Sequence, residues 1–114
     1  MSGETFDIPV GDLQWTFAIE DIGDGKIQAT VRQLSGEERD KCLVTNVIDG
    51  VTMDRAKMIR LGLVSLDGLS VGGVLIDTAE KLLSTRNREL FFVIHEVFAA
   101  ILRGSQLEES EAKN

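Results

Sequence analysis

Hydrophobic and polar positions alternate with a period of two over "DLQWTFAIE" and again over "KIQATVRQ". In the first stretch Leu13, Trp15, Phe17 and Ile19 share one side, and Gln14, Thr16 and Ala18 the other. In the second, Ile27, Ala29, Val31 and Gln33 alternate with Gln28, Thr30 and Arg32. That period belongs to the pleat of a half-buried strand. Between them lies "EDIGDGK", whose Asp24-Gly25 step supplies the positive φ values of a tight hairpin turn. The pattern predicts an N-terminal β-hairpin within about residues 5–33, with Phe6, Ile8 and Val10 as a candidate third strand that Pro9 confines to an edge.

The period then changes. Ser35 with Glu38 three residues on is a capping box, and Glu37 and Glu38 suit the positive end of a helix dipole. A helix is expected over about 36–49, with Leu43, Val44, Val47 and Ile48 on its apolar face and Gly50 as its left-handed cap. Residues 51–76 carry two patterns. Met53, Ala56, Ile59 and Leu63 fit one helical face, while residues 58–65 also alternate; a short helix passing into extended chain is the reading adopted. "DGLSVGG" follows as a loop punctuated by Gly68, Gly72 and Gly73. Asp77 and Glu80 give a second capping signal that opens a helical region over about 77–103, broken or bent at "STRN".

The closing helix, "ELFFVIHEVFAAILRG", is the most apolar run in the chain. Leu90, Phe91, Ile94, Val97, Phe98, Ile101 and Leu102 form a stripe at helical spacing, expected to cover the hairpin. Phe92, His95 and Ala99 form a second line beside it, and Glu96 is the sole charge between Leu90 and Leu102. A helix apolar nearly all round needs covering twice, once by its own domain and once by another polypeptide, a copy of itself or an unrelated chain. Gly104 is expected to stop it ahead of the acidic tail, 105–114. Strands first and helices after predict one α+β domain: a small antiparallel sheet with C-terminal helices packed on one face.

Composition narrows the chemistry. In 114 residues, 19 acidic and 12 basic side chains leave a formal charge of −7, which argues against a phosphate-binding surface and so against nucleic acid as a partner. The single Cys42 and single His95 exclude the usual structural zinc sets. Cys42, among apolar neighbours, reads as a small core residue. "DIGDGK" lacks the oxygen-ligand spacing of a calcium loop, and "LSVGGVL" is neither a phosphate loop nor a dinucleotide fingerprint. No catalytic, cofactor-binding or metal-binding residue is therefore expected, and Trp15 reads as core. The start has no signal-peptide pattern and no run reaches the ~20 apolar residues of a membrane span, so a cytoplasmic protein is expected.

From Arg32 onward, "VRQLSGEERD", "IRLGLVSLDGL" and the ending "EL..VI.EV...I" leading through "SQLEESEAKN" to a terminal Lys-Asn resemble the tail assembly chaperones of long-tailed bacteriophages and prophages. The chain differs in carrying Leu66 where an aromatic residue often follows "GLV", and "STRN" where a proline usually precedes the last helix. The resemblance implies a non-enzymatic protein of the bacterial cytoplasm, absent from the finished virion. Its implied partners are the tape measure protein, kept soluble by the chaperone, and the tail tube protein that polymerises around it. Retention in the virion as a structural tail component is the alternative, and a small protein-interaction domain another. Phe92, His95 and Ala99, with Leu107 beyond, are the candidate partner-binding residues, and self-association is a further expectation. Ala112-Lys113-Asn114 can be encoded as the slippery heptamer A AAA AAC. A frameshifted longer product is then expected, and a Lys113 codon of AAG removes it.

Overall fold

The computed structural model describes residues 14–48 and 50–105; the candidate strand at residues 6–10, Leu107 and the rest of the acidic tail lie outside them. The fold is α+β. Strands β1 (Gln14–Ala18) and β2 (Gln28–Arg32) pair antiparallel, Trp15 opposite Val31 and Phe17 opposite Ala29. The expected face is the inner one: Ile19, Ile27, Ala29 and Val31 are buried and Trp15 and Phe17 pack against them. On the outer face the hydroxyls of Thr16 and Thr30 hydrogen bond at 2.7 Å. The turn is one 3-10 loop, Gly23–Gly25, with φ of +84° at Gly23, +51° at Asp24 and +81° at Gly25.

The helix expected over about 36–49 is present only at its start, and the described residues after Lys41 depart from it. Helix α1 (Gly36–Lys41) has its capping box, Ser35 N–H donating to Glu38 Oε1 at 3.0 Å and Glu38 N–H to Ser35 Oγ at 3.1 Å. It ends at Lys41. Leu43–Asn46 is instead strand β3, paired antiparallel with β4 (Gly50–Met53). The run "LVTNVI" is rich in β-branched side chains, which lose rotamer freedom in a helix and suit a pleated strand. Asn46 Oδ1 accepts the Ile48 N–H at 2.8 Å, the side-chain-to-backbone bond that starts a turn. Gly50 does adopt a left-handed conformation, φ +77°, but in that hairpin and not as a helix cap.

Helix α2 (Arg55–Gly62), capped by Asp54 Oδ1 on the Lys57 N–H at 3.1 Å, runs directly into strand β5 (Leu63–Asp67). β5 pairs antiparallel with β2 across an irregularity between Thr30 and Val31, so the sheet order is β1-β2-β5 with β2 central. A small hairpin follows, β6 (Ser70–Val71) with β7 (Val74–Leu75), turned by Gly72 and Gly73 at φ +58° and +83°. The helical region expected over 77–103 is two helices, α3 (Ala79–Ser84) and α4 (Leu90–Ser105). Thr78, and not Asp77, caps α3, its Oγ1 accepting the Lys81 N–H at 3.2 Å, while Asp77 binds Lys81 Nζ at 3.0 Å.

α4 packs on β2, α2 and α3. Its inner side joins Ile19, Val31, Met58, Ile59, Leu66 and Leu82 in one core. The absent side chain of Gly62 permits the crossing of α2 and α4, since a Cβ there would stand 2.7 Å from Ile101 Cδ1.

Candidate interaction surface

α4 buries Leu90, Val93, Val97, Ala100 and Ile101. The expected stripe is thus rotated. Leu90, Val97 and Ile101 belong to it, but Phe91 is 59% exposed and Ile94, Phe98 and Leu102 are only half-buried. The side that fits against β2 and α2 carries the smaller residues Val93 and Ala100, which let the helix sit close; the rings of Phe91 and Phe92 stay exposed, while Phe98 packs at the edge of the core.

The outward side is a continuous apolar strip. Phe92 is 48% exposed, His95 is exposed and Ala99 is half-buried, one above another at helical spacing with Phe91 beside them. Leu107 lies outside the described residues. Arg55, the first residue of α2, places its guanidinium 5.5 Å from the Phe91 ring centre and 5.2 Å from that of Phe98. Such contacts contribute about 0.5–1 kcal/mol at an exposed site, and here they also set a cation along the border of the strip. Glu96, read from sequence as an interruption, has a structural role. Its carboxylate accepts the backbone N–H groups of Glu20 at 3.2 Å and Asp21 at 3.1 Å, fastening α4 to the end of β1.

The β3–β4 hairpin is a second uncovered surface, which the sequence reading missed by assigning its residues to a helix. Leu43, Val44 and Val51 are exposed, and at its tip Val47 is 104% and Ile48 90% exposed. The β-branched run was the available signal. Helix α1, which leads into the hairpin, is tied to β2. Arg32 grips Glu38 through two bonds, Nη1 to Oε1 at 3.1 Å and Nη2 to Oε2 at 2.6 Å. That Arg32 bond, helped by the Ser35 backbone, pulls the Glu38 carboxyl down to about 2.

Little in the interior is arranged for chemistry. Among the described residues no polar or charged side chain is buried, and no group of His, Cys, Asp and Glu is placed to hold a metal ion. Cys42 is fully buried, its thiol donating to the Glu38 carbonyl at 3.4 Å, and burial pushes that thiol up, away from the reactive thiolate. A depression of about 200 Å³ lies between Ile22, Leu69, Val71, Leu90 and Val93, with Asn87 at its rim. Asn87 Oδ1 is already engaged by the Glu89 N–H at 2.9 Å. Among the described residues no helix is long and apolar enough to cross a membrane. No family model, curated protein or solved structure matches the chain.

Proposed function

We propose that the protein is a tail assembly chaperone of the kind made by long-tailed bacteriophages and prophages. It binds the tape measure protein without catalysis and keeps it soluble while tail tube subunits polymerise around it. It works in the bacterial cytoplasm and leaves before the virion is complete. The observation that carries this reading is the outward strip of α4, Phe91, Phe92, His95 and Ala99, left uncovered by the fold in a chain of net charge −7. The sequence resemblance from Arg32 onward points the same way.

The strip suits such a client. From Phe91 to Ala99 it extends about 12 Å at 1.5 Å per residue, a little over two turns of helix. That length presents anchors for one amphipathic helix laid alongside at i, i+3, i+4 and i+7. Apolar rings supply non-directional affinity, which tolerates many client sequences, and His95 offers polar atoms in the middle of the strip. The acidic remainder of the surface keeps loaded complexes apart in solution.

The test is refolding of the tape measure protein by dilution with and without this protein. Light scattering should fall in a stoichiometric manner with the wild type and stay high with Phe92→Asp. Scattering unaffected by the wild type, or suppressed equally by the variant, contradicts the proposal. Mass spectrometry of purified particles should find no peptide of the chain; its presence at subunit stoichiometry would instead make it a tail component.

A further inference from the structure

The apolar strip on α4 is bordered along both of its long sides by charge, and the two borders are of opposite sign. On one side lies Arg55, half-buried, its guanidinium 5.5 Å from the centre of the Phe91 ring and 5.2 Å from that of Phe98. The cation is thus nearly equidistant from two residues that stand about two turns of helix apart, close to the middle of the strip. In a chain of net charge −7, Arg55 enters no ion pair among the described residues.

On the other side lies Glu96. By accepting the backbone N–H groups of Glu20 and Asp21 it brings three carboxylates to one place. The side chains of Glu20 and Asp21 are exposed, and none of the three acids is in an ion pair among the described residues. At about 100° per residue, the order around α4 is Phe98, Phe91, His95, Ala99, Phe92, Glu96, over roughly 160°. Along the axis Glu96 is within about 2 Å of the midpoint between Phe91 and Phe98, so the two borders face each other across the strip at one level. Arg103, in the last turn of α4, is on the Glu96 side but about 10 Å further along, past the end of the strip at Ala99.

We propose that the helix docked on this strip carries a carboxylate on the flank against Arg55 and basic side chains on the flank against Glu20, Asp21 and Glu96. This rests on the chaperone reading in taking a client helix as the occupant, and adds that helix's charge pattern and direction. A helix laid with its apolar seam down exchanges its left and right flanks when it is turned end for end. Borders of opposite sign therefore favour one direction and oppose the other. In the client the two charges fall at e and g of a heptad whose a and d positions are apolar. Arg55 suits the first contact: its planar fork matches a carboxylate, and two rings already hold it, so little freedom is lost on binding. A second copy is the less favoured occupant, because two chains of −7 repel each other.

Fluorescence anisotropy of a short labelled peptide, with no tape measure protein present, tests the charge pattern. The peptide has leucine at a and d, glutamate at e and lysine at g, and is kept dilute so that it does not pair with itself. It has no net charge, so the −7 of the chain neither draws nor repels it. It should bind the full wild-type chain. Arg55→Glu should weaken binding roughly three- to tenfold, since one attraction is lost and one repulsion gained at a partly exposed site. Lys41→Glu on α1, with the same change of net charge, should leave binding unaltered. Glu20→Lys with Asp21→Lys, which keeps the backbone N–H groups that Glu96 accepts, should also weaken it. All three border substitutions in one chain exchange the signs, and binding should recover, the peptide now lying end for end.

Arg55→Glu that binds as the wild type does, a loss matched by Lys41→Glu, or a triple variant that does not recover overturns the proposal. A wild type that binds no such peptide, yet suppresses tape measure aggregation through Phe92, overturns the charge pattern and leaves the chaperone reading standing. The converse pair of results supports the charge pattern and removes the tape measure protein as the client. A sedimenting mass that doubles with concentration in the wild type and not in Phe92→Asp also overturns it, and assigns the strip to a second copy.

Discussion

Gly104 sits inside α4 against the ring of Trp15, where a Cβ would overlap the indole carbons. An exposed helical glycine replaced by alanine is stabilised by ~1 kcal/mol. Here the sign reverses. Gly104→Ala should destabilise by about 1–3 kcal/mol, the usual cost of overpacking, as a lower urea midpoint followed by the fluorescence of Trp15, the only tryptophan. From sequence this glycine reads as a helix stop, because a close approach between residues 15 and 104 leaves no local trace. Glu38 makes the second prediction at this scale. The hydrogen bonds from Arg32, and next from the Ser35 backbone, hold its folded pKa at about 2, below the ordinary carboxylate value. Between those two pH values the unfolded chain binds more protons, so this contribution is complete above the unfolded pKa and is lost as pH falls through about 2. Urea midpoints measured from pH 6 downward should decline more steeply for the wild type than for Glu38→Gln, which retains a capping side chain without the charge.

At the scale of elements, the signals that were legible are those written in neighbouring residues. The period of two placed β1 and β2 and their inner face, the capping box placed the start of α1, and glycines marked turns at positive φ. What was not legible depends on partners distant in sequence. Leu43, Val44, Val47 and Ile48 fit a helical face as well as a strand, and only the pairing with Gly50–Met53 decides between them. The third strand of the sheet is β5, brought beside β2 by the intervening α2, a long-range choice that periodicity does not encode. The rotation of α4 about its axis is of the same kind. It predicts that Val93→Asp, a carboxylate placed in the core, unfolds the protein or costs several kcal/mol, whereas Phe92→Asp changes stability by no more than about 0.5 kcal/mol. Paired urea melts of the two variants check it, and equal losses contradict the observed orientation.

For the whole molecule, the features that matter are a single core, an acidic exterior and two apolar surfaces which that core does not absorb. One is the outward side of α4, which the sequence located through the line of Phe92, His95 and Ala99 but without Phe91 or the Arg55 guanidinium beside it. The other is the hairpin edge. On the helix the exposed groups are aromatic rings, on the hairpin they are aliphatic side chains, and the proposed function gives the helix side to the client. Incorporation of a photo-crosslinking amino acid at position 92, in cells assembling tails, tests the central claim most directly. The account predicts that the cross-linked product, identified by mass spectrometry, contains the tape measure protein, and that the same group at exposed Val64 on β5 captures none of it. Equal capture from both positions, or none from position 92, would contradict it.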